Sequence, residues 1–260
     1  MPYAELHCLS CYSFLRGASH PHELVERAAA LGYTALAITD ECSLAGTVKA
    51  HVAAREAGLK LIIGSEFNLE EGIRLVALAP SRAAYSELSG LISMARRRSP
   101  KGQYRAALRD VIFHLKRCLL IWLPQDDGES SRAWGLQLAR LCKNRVWLGI
   151  SHLLGNDEVA RYIALRQLAD AIGLPAVACG DVQMHCAARK SLHDVFAALR
   201  HNTSIEQLGR RRAGNSQRHL RSLRQLQRLY PQELLAATQH IAERCDFSLE
   251  QLRYEYPEEV

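Results

Sequence analysis

Aromatic residues are sparse in this chain: Phe, Trp and Tyr make up 7% of its 260 positions. None is interleaved with the arginine clusters, so the pattern lacks the stacking platform with which proteins grip single-stranded bases. No stretch approaches the roughly 18 uncharged apolar residues that a membrane span needs. The opening residues Met1-Pro2-Tyr3-Ala4-Glu5 carry neither the basic nor the apolar region of a secretory signal, and the expected location is the cytoplasm. Cys8 and Cys11 form a CxxC with no second pair at zinc-ribbon spacing, which favours two unpaired thiols near a strand end over a zinc site. Cys118 and Cys179 lie in apolar runs, where a reduced thiol behaves as a small hydrophobe. Internal repeats and low-complexity linkers are missing too.

What is present is ordinary globular composition, 48% hydrophobic and 23% charged, enough for a sizeable core. The net charge of +6 is unevenly spread. Arg96, Arg97, Arg98 and Lys101 form one basic cluster; Arg210, Arg211, Arg212, Arg218, Arg221, Arg224 and Arg228 form a longer one. Such patches bind polyphosphate backbones in a salt-dependent way, or form a solvated face that docks an acidic neighbour.

Apolar runs of strand type alternate with amphipathic stretches. Strands are expected at Tyr3 to Cys8, Thr34 to Ile38, Lys60 to Gly64, Ile73 to Ala79, Leu119 to Leu123, Val146 to Ile150 and Ala176 to Ala178. Helices are expected from Pro21 to Ala30, from a Ser43 cap to Ala57, from a Ser81 cap toward Arg96, from Ser130 to Cys142 and from about Asp157 to Ala171. Repeated βα units imply a mainly parallel sheet closing into a distorted (β/α) barrel over residues 1–200. Residues 201–260 read as a helical extension.

Potential ligands fall where the strands end: His7, Asp40 with Glu41, Glu66, His152 and Asp181. In a parallel barrel those positions share one rim, where active sites are built. Carboxylates converging on one point repel unless protonated, paired with a cation or bound to metal. Imidazole with carboxylate suits zinc, manganese or iron. Asp40 is equally suited to capping the helix that follows it.

Ala4 to Ser10 (AELHCLS), Ala37 to Glu41 (AITDE), Gly64-Ser65-Glu66 and Cys179 to His185 (CGDVQMH) resemble the four motifs H-x-H-S, T-D-H, G-x-E and D-x-H of the PHP (polymerase and histidinol phosphatase) family. Gly17 to Pro21, Leu24 to Gly32, Ser43 to Gly46, Arg218 to Ser222 and the tail Ile241 to Glu259 extend the likeness to the PHP domain of error-prone C-family DNA polymerases. The resemblance implies a barrel of PHP type whose motifs hold up to three metal ions. It further implies a parent protein in damage-tolerant DNA synthesis, working with a polymerase core, a sliding clamp and mutasome proteins, its palm beyond Val260.

This chain departs from the family pattern at several ligand positions. The second histidine of H-x-H is Leu9, that of T-D-H is Glu41, and that of D-x-H is Gln183. Where active relatives often carry another histidine stands Arg74. The expectation is a degenerate site in which His7, Asp40, Glu41, Glu66, His152 and Asp181 remain as residual ligands. It would hold one or two divalent ions (zinc, manganese or magnesium) at partial occupancy, or none, and Arg74 would supply positive charge in place of a metal. Three functions stay open: a structural and partner-binding domain of an error-prone polymerase; a metal-dependent phosphoesterase or 3′–5′ exonuclease; and a basic DNA-binding module acting through Arg210, Arg211, Arg212, Arg218 and Arg221.

Overall fold

The computed structural model describes residues 2–252; the end of the polymerase-like tail, residues 253–259, lies outside them. Seven strands form one sheet in sequence order: β1 (Ala4–Cys8), β2 (Ala35–Ile38), β3 (Lys60–Asn68), β4 (Arg74–Leu78), β5 (Leu119–Trp122), β6 (Val146–Ile150) and β7 (Ala176–Ala178). The sheet curls into a distorted barrel. The chain after β7 returns beside β1, where Val182 N–H donates to His7 O at 3.0 Å and Leu9 N–H to Val182 O at 2.8 Å.

Helices α1 (Pro21–Ala30), α2 (Thr47–Ala57), α3 (Arg82–Arg97), α4 (Leu108–His114), α5 (Glu129–Leu141) and α6 (Glu158–Ile172) lie along the connections. Their termini follow local chemistry. Pro21 opens α1, and the Glu23 carboxylate accepts from His20 N–H at 2.8 Å. Ser81 Oγ accepts from Ala84 N–H at the start of α3. Gly58 and Gly173 close α2 and α6 at φ of 64° and 68°, a conformation that costs glycine little. Ser43 is not the cap expected of it: α2 begins four residues later, behind Gly46, and Ser43 Oγ instead accepts from Ala45 N–H within the loop.

Sheet residues alternate between two apolar layers. Leu36 and Ile38 face the helices, whereas Ala35, Ala37, Ile62, Val76, Ile121 and Val177 face the barrel axis. Both faces are buried, as the unbroken apolar runs require, and each buried Leu or Ile contributes roughly 1.5–3 kcal/mol.

The sheet departs from the expected pattern at β4. It pairs antiparallel with both β3 and β5, and the other pairings are parallel. Only five residues separate β3 from β4, too few for a parallel crossover of about a dozen. β4 therefore begins at the rim where β1, β2 and β3 end.

Beyond β7 come a 3₁₀ turn at Ala187–Arg189, α7 (Lys190–Arg200), a second 3₁₀ turn at Glu206–Arg211, α8 (Leu223–Leu229), α9 (Gln232–Glu243) and a last 3₁₀ turn at Leu249–Gln251. Ile241 and Ala242 of α9, with Cys245, join the layer facing the barrel axis, and Thr238 Oγ1 accepts from Ala4 N–H at 3.3 Å. α9 thus seals the base of the barrel, leaving the opposite rim open.

Candidate metal centre

Three of the expected ligands meet at the open rim. Ligand atoms of His7, Glu66 and Asp181 lie within 4.8 Å of one another, all buried. His7 comes from the end of β1, where a register irregularity between Glu5 and Cys8 re-aims the strand. Glu66 stands on β3 directly across from Val76 of β4. Asp181 follows β7 with φ of 47°, a left-handed conformation that Asp tolerates better than most residues.

Guanidinium groups fill this cluster. Arg74, the first residue of β4, donates from Nε and Nη2 to Glu66 Oε2 at 2.9 and 2.8 Å, and from Nη2 to Asp181 Oδ1 at 2.7 Å. Arg16 Nη1 donates to Glu66 Oε1 at 2.6 Å and to Glu41 Oε2 at 2.5 Å. Arg218 Nη1 donates to Asp181 Oδ2. Every carboxylate oxygen of Glu66 and Asp181 therefore accepts from an arginine. Burial alone would raise the Glu66 carboxyl, but Arg74, the His7 hydrogen bond and Arg16 together hold it well below the usual carboxylate range. Burial, with Arg74 and Arg16 close by, pulls the Arg218 guanidinium down to about 10.

His7 Nε2 lies 2.7 Å from Glu66 Oε2. An ionised carboxylate only accepts, so Nε2 carries the proton. That leaves Nδ1 buried without a hydrogen-bond partner, 3.7 Å from Asp181 Oδ1. Burial, abetted by Arg74, lowers the His7 pKa despite the pull of Glu66.

The other expected ligands stand apart from this trio. Asp40 accepts from Ser10 N–H at 2.8 Å, Ser10 Oγ at 2.7 Å and Ser13 Oγ at 2.7 Å. It neither joins the trio nor caps α2, because the loop after β1 satisfies it first. Burial raises its pKa, and the serine donors only moderate the rise. Glu41 binds Arg16 and accepts from Asn68 Nδ2 at 2.8 Å and Tyr104 OH at 3.0 Å. His152 is likewise outside the trio. Its ring packs against Tyr162 and Tyr230, and its Nδ1 sits 3.2 Å from Glu158.

Two of the five arginines expected at a nucleic-acid or partner surface are committed elsewhere. Arg221 is 2% exposed; it donates to His152 O at 2.7 Å and lies 3.4 Å from Tyr230 OH. It is structural because the segment before α8 runs extended beneath the rim instead of forming an exposed helical face. Arg218 is spent on Asp181. Arg210, Arg211 and Arg212 are exposed, and Arg212 pairs with Asp194 at 2.8 Å. Arg16 escaped the sequence reading; the signal available was its place just before Gly17 to Pro21, a stretch that carries the family likeness. The preceding Leu15 has φ of 57°, unusual for a bulky residue and in keeping with a loop constrained to deliver Arg16.

His7, Glu66 and Asp181 are near enough to share a metal ion, but as arranged the cluster is occupied by guanidinium groups. Three arginines balance Glu41, Glu66 and Asp181, so an added dication would have to displace them or stand uncompensated in a buried site. Two of the missing imidazoles are not restored nearby: Leu9 is buried apolar surface, and Gln183 Oε1 accepts from His193 Nε2 at 2.7 Å.

A PHP domain family model matches residues 5–143, and the chain belongs to that family. It is 51% identical over 260 residues to an error-prone DNA polymerase of Saccharophagus degradans, covering 100% of this chain and 25% of that protein. It is 50% identical over 258 residues to an error-prone DNA polymerase of Pseudomonas aeruginosa, covering 99% and 25%. The chain thus spans about a quarter of the length of these curated relatives, matching their N-terminal portion. Among solved structures it resembles a putative metal-dependent phosphoesterase from Bifidobacterium adolescentis (TM-score 0.51, 16% identity, 68% of this chain and 86% of that one). It also resembles an amidohydrolase from Chromobacterium violaceum with bound SO4 and no metal (TM-score 0.53, 17% identity, 70% and 88%). Those two likenesses concern the fold. The described residues include no helix long and apolar enough to cross a membrane.

Proposed function

We propose that this chain is the PHP domain of an error-prone DNA polymerase whose metal centre has given way to guanidinium groups, leaving a structural and partner-binding role. The observation that carries the reading is the saturation of Glu66 and Asp181 by Arg16, Arg74 and Arg218. Phosphoester hydrolysis needs metal ions held with open positions for water and substrate; here the carboxylates that would hold them are engaged. On this reading residues 1–200 are the barrel, and residues 201–260 lead toward a polymerase core. The parent protein would act in the cytoplasm, incorporating nucleotides opposite damaged DNA alongside a sliding clamp and mutasome proteins.

Metal analysis of protein purified without chelator tests the proposal. Zinc, manganese and iron are expected well below one ion per chain, with no manganese-stimulated hydrolysis of a phosphoester or a mismatched primer end. Two or more ions per chain, or hydrolysis abolished by Asp40→Ala, would overturn it.

A further inference from the structure

Beside Gln183 lies a cavity of about 300 Å³ whose lining includes seven arginines, two histidines and no carboxylate residue. Arg16, Arg74 and Arg218 form the part of its wall shared with the carboxylate cluster, where their charge is balanced. Arg200, at the end of α7, and Arg210 and Arg211, in the turn that follows, are different. Among the described residues they have no ion pair and no side-chain hydrogen bond, and all three line this same cavity. His193 lines it as well, and its buried Nδ1 has no partner.

Like charges gathered in a concave space repel one another, so the arrangement is relieved when an anion enters. The planar fork of arginine matches phosphate oxygens two at a time. The lining contains no Phe, Tyr or Trp to stack on a base, and the volume suits a compact group more than a run of nucleotides. We propose that this cavity is a binding site for a multiply charged phosphate group, either a free phosphoanhydride chain or the terminal phosphate of a nucleic-acid strand. The site binds without hydrolysing. Its unpaired arginines are not those that saturate Glu66 and Asp181, so it stands or falls independently of the metal content.

Calorimetric titration of the 260-residue chain with tripolyphosphate, at about 50 mM salt where phosphate contacts are not screened away, tests it. Saturable binding near one per chain is expected. The Arg200→Ser, Arg211→Ser double variant, which alters exposed and unpaired side chains, should keep the wild-type melting temperature and weaken binding at least about tenfold, as expected when charge-assisted contacts are lost. A control pair elsewhere on the surface, Arg82→Ser with Arg132→Ser, should leave binding unchanged. Absent saturation, or equal binding by the double variant, would overturn the proposal.

A parallel arm compares an oligonucleotide with and without a 5′-phosphate. Preference for the phosphorylated strand, lost in the double variant, identifies a strand terminus as the source. Binding of tripolyphosphate with neither oligonucleotide competing identifies a free phosphate chain. Equal competition by both oligonucleotides would overturn the site in favour of diffuse backbone attraction.

Discussion

Asp40, just after β2, and Glu66, on neighbouring β3, share one barrel mouth, both essentially inaccessible to solvent at 1% and 0% exposure. Their surroundings differ in kind. Asp40 is held by a backbone amide and two serine hydroxyls, all neutral donors, and its carboxyl is pushed upward by burial. Glu66 receives two guanidiniums and an imidazole, and although burial acts on it in the same direction, its carboxyl ends far below the usual range. Neutral hydrogen bonds soften the cost of a buried carboxylate; cations reverse it. This corner of the barrel can therefore keep charged carboxylates together without a metal ion, and the Asp40 corner serves to fix the loop that brings Arg16 in.

Substitutions can sharpen or break that contrast. Arg74→Met should be the most costly, because it strips one cation from two buried carboxylates at once. A loss of about 3 kcal/mol in denaturant unfolding is expected, the scale of a broken buried ion pair. A loss below about 1 kcal/mol, typical of exposed pairs, would mean that the cations are incidental. Ser13→Ala removes one of three neutral donors from Asp40 and should cost about 1–2 kcal/mol. If it matched Arg74→Met, the distinction between the two corners would fail. Gly46→Ala should have the smallest effect, about 1 kcal/mol, since its new Cβ would stand 2.9 Å from Asp40 Oδ2 and crowd the serine-held loop. A stabilised variant would show that this loop yields easily.

Most of the barrel was legible in sequence because its strands are short apolar runs bounded by glycine and capping residues, a pattern that burial on both faces enforces. The reversal of β4 was readable in principle: the stretch between Glu66 and Ile73 is too short for a crossover helix, and no local propensity contradicts a hairpin. That reversal matters for the site, since it brings the first residue of a strand, Arg74, to the mouth where the other contributing strands place their last. Strand ends nominate His7, Glu66 and Asp181 together with Asp40, Glu41 and His152, and the family motifs add weight to four of the six. His152 was not separable from them that way, because whether a rim residue turns inward depends on its packing partners, here Tyr162 and Tyr230. Arg221 was misread for a related reason. A run of arginines three apart looks like a solvated helical face, yet residues 218–220 run extended beside Gln183 and Met184. Arg16 left no periodic trace, for a loop's aim is set by the strands it joins.

The phenol of Tyr230 has a consequence for where this molecule can be cut. Its hydroxyl donates to Cys179 O at 2.9 Å, receives His152 N–H at 2.9 Å and neighbours Arg221, so it rivets the ends of β6 and β7 to a residue some fifty to eighty positions downstream. The family match stops at residue 143, before β6, β7, Asp181 and this rivet. A fragment trimmed there would retain the motifs of the first three strands while losing the frame that holds their mouth in shape. Pairings so distant in sequence also carry a larger loop-closure cost than those between neighbouring strands. The cationic mouth is complete only once the chain after β7 has supplied Asp181 and Arg218.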